Sequence, residues 1–340
     1  MIYVAADLHL RECTWKSRKD INGDQYYAWA QLCKVVSDDP EGDLLLAGDI
    51  FDTPYPTGQT EMMFAKGMNM LKSKGRNCWF IPGNHDNEQV PRPCLFGAIP
   101  LTAGIRSHIQ GRTVTGIPFM RSTETLQATI ESTPPTDILL MHTGFRHLLG
   151  YEDTWQVSEE DIPETVKLVM VGHVHKHDEH GKVYSPGSLA LHRADEISAG
   201  HGYFIIDPKD LSVTWKEVCT RQYLSINVRK EIDRDLLDSL VDDGNWKKPV
   251  VLLNYCNEDT AVAEAIQDIY KDKLLFMCNA CASETIRALD EQQDEQLDLN
   301  SVVSGYLSAN LTEEQQHLAA TLMSSADPAD DLATYLEERK

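Results

Sequence analysis

A chain of 340 residues with 42% hydrophobic side chains is long enough for one large domain and one smaller one, each with its own core. Its 53 acidic against 31 basic side chains leave a net charge of −22, which repels a polyanion and argues against unaided nucleic-acid binding through a basic face. No apolar stretch reaches the roughly 18 residues that span a membrane, no basic region followed by a long apolar segment opens the chain, and the eight cysteines are scattered, so membrane insertion, export and a disulfide framework are not expected; a cytoplasmic location with reduced cysteines is.

In chain order, five short apolar runs each end in a cluster of metal-ligand residue types. Ile2-Tyr3-Val4-Ala5-Ala6 leads into Asp7-Leu8-His9, and Leu44-Leu45-Leu46-Ala47 into Gly48-Asp49-Ile50-Phe51-Asp52. Cys78-Trp79-Phe80-Ile81 leads to Gly83-Asn84-His85-Asp86, Ile138-Leu139-Leu140-Met141 to His142, and Leu168-Val169-Met170-Val171 to Gly172-His173-Val174-His175. Helical periodicity over residues 25–36 and 59–72 separates the first three runs, as in α/β units. Strands buried on both faces read as unbroken apolar runs, and open α/β sheets place their sites beyond the strands' carboxyl ends, so all five clusters are expected on one rim. The segments Pro91-Arg92-Pro93 and Pro134-Pro135 read as surface connections, with Arg92 a weak candidate phosphate contact.

After Gly187 the texture changes. Residues 202–207 and 212–218 read as consecutive strands closing the second sheet of a two-sheet sandwich. A smaller α+β unit follows, with strands over 223–228, 250–255 and 274–277 and helices over 233–241 and 260–269. Residues 289–296 form an acidic linker that cannot make a core. The stretch 297–340 reads as short helices with apolar stripes, Thr312 capping one and Asp327-Pro328 opening another. Residues 221–340 hold 24 of the acids but 11 of the bases, so the acidity is concentrated away from the clusters. Cys278-Asn279-Ala280-Cys281 lacks the second ligand pair of a zinc site and is expected to be buried packing.

Any one Asp-x-His or Gly-Asn-His is ordinarily a turn with a capping side chain; five in order, each after a strand, describe a two-metal site. Two divalent cations need a bridging carboxylate, imidazoles and an amide oxygen, and open positions for water and substrate. Asp49 is the obvious bridge. Asp7, His9 and His175 complete one metal, and Asn84, His142 and His173 the other; alternation along 172–175 is expected to send His173 and His175 to neighbouring ions. His85 is left over as an acid or charge stabiliser, held in orientation by a carboxylate, for which Asp52 is the best candidate. With oxygen and imidazole ligands and no thiolate, manganese is favoured, while iron or zinc fit the same set. His192 and His201 either approach the substrate or pack.

This pattern resembles the calcineurin-type metallophosphoesterase superfamily over residues 1 to about 190. Within it, Thr53-Pro54 after the second cluster, the segment Tyr184-Ser185-Pro186-Gly187-Ser188 and the architecture beyond are similar to the SbcD family of DNA-repair nuclease proteins. The resemblance departs at residues 11–25, away from every ligand, and the shortness of the chain suggests a compact bacteriophage version. It implies a two-sheet α/β sandwich with a nuclease domain over 1–220, a capping domain over 221–288 and partner-binding helices over 297–340. It implies phosphodiester hydrolysis in DNA, two divalent metals held by the residues above with His85 as the non-ligand histidine, and an SbcC-like ABC-type ATPase docked on the C-terminal helices, with a homodimer left open. A phosphoesterase acting on small phosphoesters or cyclic nucleotides is the rival reading, and return of the C-terminal helices onto the capping domain the rival for that segment.

Overall fold

The computed structural model describes residues 1–15, 17–86, 91–149, 156–228, 234–241 and 247–281. They divide into two compact units, one drawn from residues 1–226, 233–252 and 267–277, the other from 227–232, 253–266 and 278 onward. The expected linker over 289–296 and the helices over 297–340 lie outside the described residues.

The first unit holds two six-stranded sheets. One runs in the order Val213–Glu217, Gly202–Ile206, Ile2–Ala5, Asp43–Ala47, Cys78–Ile81, Ile99–Pro100, and the other in the order Asp178–His180, Val183–Ser185, Val166–Gly172, Thr136–His142, Arg112–Ile117, Ser107–Ile109. The strands that carry the clusters are parallel to their neighbours within each sheet, Ile2–Ala5 with Asp43–Ala47 and Cys78–Ile81, and Thr136–His142 with Val166–Gly172. Their carboxyl ends therefore point one way within each sheet.

Alternation along the strands explains why the runs are apolar throughout. Ile2, Val4, Leu45, Ala47 and Ile81 meet Ile138, Leu140, Leu168 and Met170 in one buried cluster between the sheets. The residues between them, Tyr3, Ala5, Leu44, Leu46 and Phe80, face the other way into a cluster with Trp29, Leu32, Cys33, Phe64, Met68 and Leu71. Those last six belong to helices Asp24–Asp38 and Gly58–Ser73 and sit at helical spacing on their buried faces. Across the second sheet Leu139, Met141, Val169 and Val171 pack on Leu126 and Ile130 of helix Thr123–Glu131. Each fully buried leucine or isoleucine in these layers contributes roughly 1.5–3 kcal/mol relative to exposure. Local signals set the helix starts: Thr57 accepts from the Thr60 N–H and Ser122 from the Thr125 N–H.

Several expectations are corrected. The strands Gly202–Ile206 and Val213–Glu217 do not close the second sheet; Gly202–Ile206 pairs antiparallel with Ile2–Ala5, placing Ile206 opposite Ile2, so the pair extends the first. Arg92 pairs with Glu61 at 2.5 Å and lies over the Tyr55 ring. Cys278 is exposed on the strand Leu275–Cys281, not the buried packing expected of it. Strands Tyr223–Asn227 and Val250–Cys256 and helices Arg234–Val241 and Thr260–Tyr270 fall where the smaller unit was expected to have them.

Candidate metal centre

The ends of five strands, three from the first sheet and two from the second, bring the clusters together. Three of the residues concerned leave the extended conformation abruptly: Asp7, His9 and Asp49 have φ of 49°, 40° and 49°, and His173 follows them at 97°. Left-handed backbone costs a non-glycine residue on the order of 1–3 kcal/mol, so four instances at one rim mark a place where the fold spends stability on aiming side chains. The glycines directly before Asp49, Asn84 and His173 serve the same end. A Cβ on Gly83 would collide with the carboxylate and backbone nitrogen of Asp49, and one on Gly48 with the His142 ring.

Two donor groups result, with Asp49 between them. In one, His9 Nε2 lies 3.1 Å from His175 Nε2, and His175 Nε2 lies 3.9 Å from an Asp7 oxygen. In the other, Asn84 Oδ1 lies 3.0 Å from both His142 Nε2 and His173 Nδ1. Asp49 Oδ2 stands 3.6 Å from His9 Nε2 and 3.5 Å from His142 Nε2. Ions with bonds of about 2.1 Å hold adjacent ligands about 3 Å apart, so carboxylate, amide and imidazole atoms at these separations fit two divalent cations. His173 and His175 do part to different groups, but through the break at His173 and not by alternation, because the strand ends at Gly172.

Electrostatics without metal tells the same story. Burial pushes the Asp7 carboxyl up to about 6. Burial opposes a charge on His142 as well, yet the Asp49 carboxylate beside it outweighs that and raises it to about 9, while Asp49 itself is held below the carboxylate range against its own burial by His142 and His9. A buried anion that draws a proton onto the His142 imidazole is one that a cation would satisfy. Burial drives His9 well below its ordinary value, which keeps its nitrogens available as neutral ligands.

His85 adjoins these groups, a ring nitrogen lying within 4.8 Å of ligand atoms of His9 and Asp49 and its ring at right angles to that of His9 with centroids 4.8 Å apart. Its backbone N–H donates to Asp49 Oδ1 at 2.8 Å, and its Nδ1 meets the backbone carbonyl of Asp52 at 2.9 Å. The expectation that the Asp52 carboxylate orients the ring is therefore corrected. That carboxylate accepts from Arg11 at 3.2 Å and faces His9 Nδ1 and His192 Nδ1 at 3.7 and 3.8 Å.

Four residues were missed or left undecided by the sequence. Buried Asp86 accepts the N–H groups of Ile50, Phe51 and Gly83, tying the second cluster to the third. Glu196 meets His175 Nδ1 at 2.5 Å. His192 lies flat on His9, ring centroids 4.1 Å apart, and its carbonyl accepts from Arg11. His201 packs under Ser188, away from the ligands. Glu196 and Asp86 leave no spacing signal, whereas Arg11 two residues after His9 could have been noticed.

The comparisons with known proteins agree with this geometry. A family model described as calcineurin-like phosphoesterase matches residues 1–177. The DNA double-strand break repair protein Mre11 of Sulfolobus acidocaldarius is 23% identical, the alignment covering 95% of this chain and 94% of that protein. Mre11 of Saccharolobus solfataricus is 25% identical over 74% of this chain and 73% of its own length. The SbcD component of the nuclease SbcCD of Bacillus subtilis is 33% identical over 31% of this chain and 26% of that protein. Among the described residues no helix is long and apolar enough to cross a membrane.

Proposed function

The chain belongs to the calcineurin-like phosphoesterase family, and from that premise we propose that it is a metal-dependent nuclease that hydrolyses phosphodiester bonds in DNA, working in end processing and repair. The observation that carries this reading is the place of Asp49 Oδ2, 3.6 and 3.5 Å from imidazole nitrogens of two separate donor groups, as a carboxylate shared by two cations must be. The choice of DNA rests on the relatives named as DNA-repair proteins.

Two divalent ions, manganese in this reading, supply an activated water and positive charge for the phosphoryl oxygens when bound. Asp7, His9 and His175 would hold one of them, Asn84, His142 and His173 the other, with Asp49 shared between the two. His85, fixed at Nδ1 by the Asp52 carbonyl, presents its other nitrogen to the departing 3′ oxygen as proton donor and charge stabiliser. Arg11 neutralises the Asp52 carboxylate beside His9. Residues 221–288 act as a capping domain.

The net charge of −22 explains why such a nuclease draws on a partner for DNA affinity. That partner is an SbcC-like ABC-type ATPase bound through the apolar stripes of residues 297–340. The test is cleavage of end-labelled duplex DNA and of a chromogenic phosphodiester, with and without manganese and the ATPase, by the full chain and by a chain ending at residue 296. Manganese-dependent cleavage of both substrates is expected from the full chain, with ATP-stimulated duplex cleavage lost on truncation. Hydrolysis of the small diester with none of DNA under any condition would turn the reading toward a small-molecule phosphoesterase.

A further inference from the structure

Among the imidazoles of the two donor groups, His175 has a carboxylate in hydrogen-bond contact with its Nδ1. The Nδ1 of His142 is held by the Ala47 carbonyl at 2.7 Å, a neutral acceptor, and the Nδ1 of His9 is buried without a hydrogen-bond partner. His175 Nδ1 instead meets the Glu196 carboxylate at 2.5 Å. Glu196 is 7% exposed, and its second oxygen accepts from the His192 backbone N–H at 2.8 Å and the Ser188 hydroxyl at 3.3 Å. Three contacts from separate points of the chain thus fix the carboxylate where it faces His175.

The geometry points to Glu196 as the positioning residue of the metal position formed by Asp7, His9 and His175. It contacts His175, Ser188 and the His192 backbone, and so acts through His175. A carboxylate on Nδ1 keeps the ring proton there, which leaves the lone pair on Nε2, the atom directed at His9 and Asp7. It also makes the imidazole a stronger donor than a carbonyl-backed one. The same carboxylate steadies a second ligand, since the residue it holds through its backbone, His192, stacks its ring within 15° of parallel on His9. In the second position, the Nδ1 of His142 is backed by the Ala47 carbonyl instead. The inference rests on the two-metal reading of the site, and its test separates the two.

Manganese titration calorimetry on the metal-free full chain is compared with the same measurement on Glu196→Gln. Glutamine keeps the size and one accepting oxygen but removes the charge, so a residue that only packs would tolerate it. The wild type is expected to bind two ions, and the variant to lose about 10- to 100-fold in affinity for one of them while keeping the other. On wild-type protein loaded with zinc, nitrogen NMR of His175 is expected to find the proton on Nδ1 and the metal on Nε2, a readout that stands even if the variant does not fold. Equal affinities in the two proteins would overturn the role of Glu196 and leave the site intact, whereas a proton on Nε2 of His175 would overturn both that role and Nε2 as a ligand. A wild-type chain that takes up no metal would instead overturn the reading of the site.

Discussion

His85 is oriented by the main chain of Asp52 and not by its side chain: the ring Nδ1 lies 2.9 Å from the carbonyl oxygen, while the carboxylate turns to Arg11 at 3.2 Å. A backbone carbonyl is neutral and does not titrate, so the orientation of His85 does not depend on the charge of the Asp52 side chain. Replacement of Asp52 by asparagine is expected to lower kcat by no more than about tenfold, through the weakened Arg11 contact, and to leave the shape of the pH–rate profile unchanged. A displaced limb in that profile would mean that the carboxylate reaches the ring during turnover.

The contact of His85 Nδ1 with the Asp52 carbonyl, with the role proposed for its other nitrogen, predicts a division of labour. His85→Ala removes a group assigned to the transition state, so cleavage should fall by about 100- to 10,000-fold with two manganese ions still bound. Asp49→Ala removes the oxygen shared by both groups and should abolish binding of both ions at micromolar manganese. Calorimetry on the two variants decides it, and loss of an ion in His85→Ala would move that residue into the ligand set.

Gly83 tests whether the backbone at the rim is built around the ligands. A methyl group there meets the Asp49 carboxylate and its backbone nitrogen, neither of which is the free end of a flexible chain. Gly83→Ala should therefore displace Asp49 and weaken metal binding by more than tenfold, while circular dichroism stays that of the wild type. Wild-type metal affinity in this variant would show that the loop between Ile81 and Asn84 can shift without cost.

Much of the site was legible because its signals are local. Strands buried on both faces write unbroken apolar runs such as Leu44–Ala47, and tight exits from them demand a glycine directly before Asp49, Asn84 and His173. What stayed hidden depends on partners far apart in sequence or on groups common to every residue. The Asp52 carbonyl is a main-chain atom, and no residue type announces it. Glu196 reaches His175 from 21 residues away, and Arg221 pairs with buried Asp24 across 197, in both cases without periodicity to connect them. The placement of Gly202–Ile206 in the first sheet follows from its antiparallel pairing with the first strand, a choice between two exposed edges that strand propensity does not make.

Outside the metal centre, Asp137 offers a test of how the second sheet is held. Its carboxylate lies on strand Thr136–His142 and is 14% exposed. One oxygen accepts from the Thr113 N–H and hydroxyl at 2.9 and 2.8 Å on the neighbouring strand, and the other from Lys167 at 2.7 Å on the strand at its other side. Burial alone would raise its pKa, but the Lys167 ammonium and the Thr113 donors outweigh it and hold the value at about 2, below the ordinary 3.8. A carboxyl depressed by folding binds protons more weakly in the native state than in the unfolded one, so its stabilisation is complete above pH 4 and drains away as pH falls toward 2. Because Lys167 is largely exposed and solvent screens the pair, the contribution is on the order of 1–2 kcal/mol. Asp137→Asn should accordingly be less stable than the wild type by that amount in urea denaturation of the metal-free proteins at pH 7, with the gap constant down to pH 5 and shrinking below pH 4. A gap that stays the same at pH 3 would assign the loss to the shape of the side chain, not to its charge.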